Sequence, residues 1–136
     1  MTVVTLTPRS VPSVPAGDER KTVRALGSNA DELILDLEDA VLAGQKADAL
    51  QSLLDRDWSE TRQSLVVRVN APRTPWCHRE LVALAAADLP FGAILVPKVA
   101  SPGDLAFVDR LLDGAEAEAG RSGPLAVHAL IESAAG

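Results

Sequence analysis

The sequence predicts an α/β fold: about five parallel strands alternating with four helices, arranged as the first half of a (β/α)8 TIM barrel. Three observations predict it. Short aliphatic runs alternate with stretches of helical periodicity. The strand runs are almost continuously apolar, so both of their faces must be covered, as in a parallel sheet of βαβ units. The last four strands each finish in polar or charged residues, and in parallel α/β proteins ligands meet the C-terminal strand ends. Several strands feeding one site is what a barrel mouth does, whereas a doubly wound sheet concentrates its site at one switch point. The doubly wound alternative would also be supported by a glycine-rich phosphate loop after the first strand, and only "PAGDER" stands there.

The elements follow in order. "SVPSV" (10–14) is a weak first strand, and "DERKTVRALGS" spaces Val23 and Leu26 three apart as a first helix. "ELILDL" (32–37) is the second strand. "QKADALQSLLDR" then sets Ala47, Leu50 and Leu54 on one helical face. "SLVVRVN" (64–70) is the third strand, followed by "HRELVALAAADL", which stacks Leu81, Leu84 and Ala85. "GAILVPK" (92–98) is the fourth. The longest helix follows, with Leu105, Val108, Leu111 and Leu112 in phase. Its start is marked by Ser101, Pro102 and Asp104, and its end by Gly120 and "SGP". "LAVHALIE" (125–132) is the fifth strand. Residues 1–136 are read as one partial TIM-barrel domain, because a complete barrel needs about 250 residues and no helix covers the fifth strand before Gly136.

Composition narrows the function. Hydrophobic content of 47 % and charged content of 24 % suit a soluble globular domain. The formal net charge is −6, and no basic stripe of the kind that binds nucleic acid is visible. No apolar run is long enough to cross a membrane, and no signal-peptide pattern is read at the N-terminus. The single cysteine, Cys77, excludes an intrachain disulfide and points to a cytoplasmic setting. It is read as structural or incidental.

The polar strand ends supply the candidates. "LILDLEDAV" carries Asp36, Glu38 and Asp39, and Asp36 is expected to turn inward or cap the strand end. Arg68 lies between valines and must be paired if buried. Its planar fork could clamp a substrate carboxylate, and the alternative is an ion pair with Glu38 or Asp39. Lys98 could form a Schiff base if desolvated, but is more simply an electrostatic partner of nearby carboxylates. Glu132 is a hard oxygen donor that could hold Mg2+, or a solvated residue at a strand end. His78 and His128 lack metal-ligand spacing, and His128 reads as a core histidine. No Ser-His-Asp arrangement or zinc motif appears.

"LILDLEDAV" (33–41), "VVRVNAPRTPW" (66–76), "ILVPKVASPGDL" (94–105) and "ALIESAAG" (129–136), in that order, resemble the citrate lyase β-subunit-like members of the HpcH/HpaI aldolase and citrate lyase family. "RSVPSVPAGDERKTVRAL" (9–26) is similar to the family's opening segment, although Ala16, Arg24 and Ala135 stand where glycine, lysine and arginine are frequent. The resemblance implies Mg2+-dependent retro-Claisen cleavage of a 3-hydroxyacyl-CoA thioester, of the citryl-CoA or malyl-CoA type, to acetyl-CoA and a 2-keto acid. It implies Glu132 as a metal ligand, with a second ligand on a later strand. Arg68 would be catalytic and substrate-binding, with Asn70 and Lys98 also at the substrate. Glu38 and Asp39 would support the metal or orient Arg68. It also implies a homo-oligomer, a trimer or larger, and inactivity of these 136 residues alone. An aldolase acting on free keto acids and a non-catalytic α/β binding module are the alternatives.

Overall fold

In a computed structural model, which describes residues 7–136, the chain forms a five-stranded sheet with four helices. The order is β1 (Ser13–Pro15), α1 (Glu19–Leu26), β2 (Glu32–Asp36), α2 (Lys46–Asp55), β3 (Ser64–Arg68), α3 (Cys77–Ala86), β4 (Phe91–Val96), α4 (Pro102–Ala119) and β5 (Ala126–Ala129). A single 3-10 turn, Ala43–Gln45, leads into α2. The start of the N-terminal segment read for a signal peptide lies outside the described residues. No helix among the described residues is long and apolar enough to cross a membrane.

Every strand pair is parallel, and the strands lie side by side in chain order, β1-β2-β3-β4-β5. That order decides between the two predicted architectures. A doubly wound sheet reverses its strand order at a switch point. This sheet winds in one sense, as the opening half of a (β/α)8 barrel does. Right-handed crossovers then carry all the helices to one face.

Register separates the two faces of the sheet. The row Val14, Leu35, Val67, Ile94, Val127 points to the helices: four of the five are at most 9 % exposed, and the fifth, Val127, packs on the core. There they meet Ala49 and Leu53 of α2, Leu81, Leu84 and Ala85 of α3, and Val108 and Leu112 of α4. The adjoining row Pro15, Asp36, Arg68, Leu95, His128 points to the opposite face. The strand of highest polarity demand, β2, can therefore end in a charge without placing it in the aliphatic core.

Two helix faces differ from the reading of the sequence. In α1 the buried residues are Thr22 and Ala25, while Val23 is 53 % exposed. In α2 they are Lys46, Ala49 and Leu53, with Leu50 and Leu54 on the flank and Ala47 exposed. In α1 two apolar residues are too few to set the helix phase, and in α2 Ala49 and Leu53 form a rival apolar pair at i, i+4. Small residues face the sheet and allow close approach. The stripes of α3 and α4 follow the prediction. The strands are shorter than their apolar runs: β1 begins at Ser13, just after Pro12, which lacks an N–H donor, and β5 spans only Ala126–Ala129.

The end of α4 is set by Gly120, whose φ of +67° is left-handed and whose N–H closes onto Ala117 O. Gly120→Ala should cost about 1–2 kcal/mol, the strain of an L-residue in that conformation, read as a lower urea midpoint.

Candidate active site at the strand ends

The site is built where β2, β3 and β4 end. Asp36 and Arg68 are direct neighbours in the parallel register, so their side chains leave the same face side by side. Arg68 Nε donates to Asp36 Oδ1 at 2.8 Å and Nη2 to Oδ2 at 2.5 Å, a two-point pair. Asp36 is 1 % exposed and also accepts the N–H groups of Glu38 (2.8 Å) and Ala40 (3.1 Å). It thus both turns inward and caps the strand end. Burial pushes its carboxyl up, but Arg68 and the two N–H donors more than offset this, and it is held below the ordinary value.

This corrects the expected partner of Arg68. Glu38 and Asp39 do not form its ion pair, because the register had already placed Asp36 beside it. They face Lys98 instead. The Lys98 ammonium lies 3.5 Å from Glu38 Oε1 and 3.6 Å from Asp39 Oδ1. Lys98 has a left-handed φ of +52°, which turns its own N–H onto Glu132 Oε1 at 2.9 Å. One residue therefore ties the β2 loop to the segment after β5. Of its two readings, the electrostatic one matches what is seen: it is half exposed and its positive charge is stabilised by Glu38 and then Asp39.

Glu38 is the perturbed group. Burial, then the neighbouring Asp39 carboxylate, push it up to about 7, while Lys98 and Arg68 pull it down. Asp39 is correspondingly lowered, first by Glu38 beside it. Glu38 Oε1 is buried and makes no hydrogen bond among the described residues, and the Lys98 ammonium faces it at 3.5 Å. Lys98→Ala removes a charge that favours the ionised form, so Glu38 should titrate above about 7. Carboxyl 13C NMR reads this directly, and an unchanged or lower midpoint would contradict the arrangement.

The other candidates fall as follows. Glu132 is exposed at the mouth with Oε1 on the Lys98 N–H. Among the described residues no three His, Cys, Asp or Glu side chains come together to hold a metal ion. Asn70, expected at the substrate, is 3 % exposed, and its amide nitrogen is committed to Glu80 Oε2 and Leu37 O. It sits behind the mouth. His128, read as a core histidine, is exposed, because it lies on the outer strand of the described sheet on the face away from the helices. Cys77 is buried and its thiol pushed up to about 12, chiefly by burial, which makes it inert. His78 is exposed.

Sequence reasoning missed Glu80 and Lys46, both buried behind the strand ends. Their one signal was a charge on the apolar side of a helix. A cleft of about 580 Å3 opens beside the site at the end of β1, lined by Pro15, Gly17, Asp18, Lys21, Val41 and Gln45 among others.

Comparison with known proteins fits this geometry. The HpcH/HpaI aldolase/citrate lyase family matches residues 11–136. The chain belongs to that family. An L-malyl-CoA/β-methylmalyl-CoA lyase of Cereibacter sphaeroides is 39 % identical over 114 residues, 80 % of this chain and 35 % of the lyase. A malyl-CoA/β-methylmalyl-CoA/citramalyl-CoA lyase of Chloroflexus aurantiacus is 33 % identical over 86 % of this chain and 34 % of its own. The chain thus spans about a third of the length of these curated relatives. The citrate lyase β subunit of M. tuberculosis, solved with oxaloacetate and magnesium, superposes with a TM-score of 0.68 at 30 % identity, over 92 % of this chain and 48 % of that one. Haloferax volcanii malate synthase, at 20 % identity and a TM-score of 0.80 over 93 % of this chain and 42 % of its own, shares the fold. This HpcH/HpaI member carries the two-point Asp36–Arg68 pair and the Glu38–Asp39–Lys98 group together at one end of its sheet.

Proposed function

We propose that the protein carrying this chain is a Mg2+-dependent carbon–carbon lyase. Its substrate would be a 3-hydroxyacyl-CoA thioester of the malyl-CoA or citryl-CoA type, cleaved to acetyl-CoA and a 2-keto acid. The observation that carries this reading is Arg68. Asp36 takes two of its five N–H donors and holds the guanidinium at the mouth, and the remaining donors, unbonded among the described residues, can meet a carboxylate or a developing oxyanion. Such a donor stabilises charge in the transition state without reorganising. Glu38, titrating at about 7, is matched to hold or release a proton near neutrality.

The donor set fits Mg2+. This ion binds through one or two carboxylates and fills its shell with water and substrate oxygens. Glu132 offers an exposed carboxylate at the mouth, on the Lys98 N–H, with further oxygens left to water and substrate. Bound there, Mg2+ would polarise the keto-acid oxygens as a Lewis acid. Further ligands would come from residues beyond these 136, and the isolated chain is expected to show no turnover. A cytoplasmic location and a homo-oligomeric assembly complete the proposal.

The test is product analysis with malyl-CoA and citryl-CoA, with Mg2+ and with EDTA. Keto acid and acetyl-CoA appearing together, only with Mg2+, are the expected result. A second reading has one support: a (3S)-malyl-CoA thioesterase of Cereibacter sphaeroides is also 39 % identical, over 76 % of this chain. Free CoA with the hydroxy acid, and no keto acid, would replace the lyase reading with hydrolysis.

A further inference from the structure

The buried polar groups behind the mouth are not used by the proposed chemistry. Glu80 of α3 is 2 % exposed, Asn70 3 % and Lys46 of α2 7 %. Burial raises the Glu80 carboxyl above its ordinary value, although the Asn70 donors and the charge of Lys46 pull the other way. An interior that needed only stability would be served as well by apolar residues of the same volume.

All of the hydrogen bonds of these groups converge on the exits of two strands. Glu80 Oε1 accepts the Asn70 N–H and Glu80 Oε2 accepts its Nδ2, both at 2.7 Å. Asn70 Nδ2 also donates to Leu37 O at 2.9 Å. Lys46 Nζ donates to Leu37 O at 3.0 Å and to Glu38 O at 2.8 Å, while lying 5.1 Å from the centre of the Trp76 ring. Leu37 O is thus held by Lys46 of α2 and by Asn70, which Glu80 of α3 holds in turn. The next two residues are Glu38 and Asp39, and Asn70 follows Arg68 by two positions.

We propose that Glu80 and Lys46 are positioning residues of the site: from the helices behind the sheet they hold the exits of β2 and β3 so that Glu38 and Asp39 face Lys98 beside Arg68. Its activity arm rests on the lyase reading above, but its geometric arm does not.

Glu80→Gln is the discriminating change. It keeps the shape, yet the new amide N–H must oppose one of the two Asn70 donors. Loss of a supporting partner of this kind typically lowers activity about 10- to 100-fold, and kcat/KM should fall by that much in the folded variant. The Glu38 midpoint, about 7 in the parent, should move, as read by carboxyl 13C NMR. Lys46→Met, which leaves Glu80 and Asn70 intact, should shift the same midpoint from the other side, and decides alone if Glu80→Gln does not fold. A folded Glu80→Gln, or a folded Lys46→Met, with the parent's Glu38 titration would overturn the proposal. A protein with no lyase turnover whose Glu38 midpoint still moves would sink the lyase reading and support this one.

Discussion

Arg68→Met is expected to destabilise the protein by about 3–5 kcal/mol, the usual cost of stranding one member of a buried ion pair. The stranded group is Asp36, 1 % exposed, left with only the N–H groups of Glu38 and Ala40. Replacing both partners, Asp36→Leu with Arg68→Met, should recover most of that loss, because no charge is then left in the interior. Urea unfolding of the two singles and the double measures the coupling. Activity should behave differently: the double variant stays about 10²–10³-fold down, as when a fixed oxyanion donor is removed. A double variant as unstable as Arg68→Met would show that the pair is not the source of the effect. The sign of the pH dependence follows from the same pair. Asp36 is held below its ordinary value in the fold, so its contribution is present above the unfolded value. It is lost as pH falls through the folded one. Acid unfolding of the parent should therefore contain a step that Asp36→Leu with Arg68→Met lacks.

Leu84→Ala is expected to cost about 2–5 kcal/mol. Leu84 is fully buried in the cluster where α3 meets the sheet and α4, with Leu81 and Ala85 beside it. Truncation removes apolar area from the core and leaves a cavity that parallel strands and a tightly packed helix can close only in part. Val82, two residues away on the same helix, is 42 % exposed. Val82→Ala should stay within about 0.5 kcal/mol, as surface changes do. Thermal or urea unfolding of the pair tests the helix phase, and similar losses at both positions would mean that α3 is rotated relative to this description.

Much of the architecture was legible in the sequence, for reasons that can be named. Leu81, Leu84 and Ala85 repeat at helical spacing in α3, and all three are buried. In α1 only Val23 and Leu26 carried the signal, and the helix turned Thr22 and Ala25 to the sheet instead. At the mouth, the charges after "LILDL" and within "VVRVN" were visible as costs that a buried strand would not otherwise carry. Their partners were not visible. Nothing local tells that Arg68 meets Asp36 and not Glu38 or Asp39, or that the Asn70 amide meets Glu80.

The sequence by itself determined the alternation of strands and helices, the parallel sheet, and the gathering of Asp36, Glu38, Asp39, Arg68, Lys98 and Glu132 at one end of it. These are consequences of periodicity and of the cost of burying charge, both of which act within a few residues. Only the tertiary structure decided which charge meets which. Asp36 pairs with Arg68 because the β2–β3 register sets them side by side. Lys98 reaches Glu38 and Asp39 because its left-handed backbone turns it across the mouth. Glu80 finds Asn70 because α3 packs behind β3. Register, loop path and helix docking join residues up to 60 positions apart, and no local pattern carries that information.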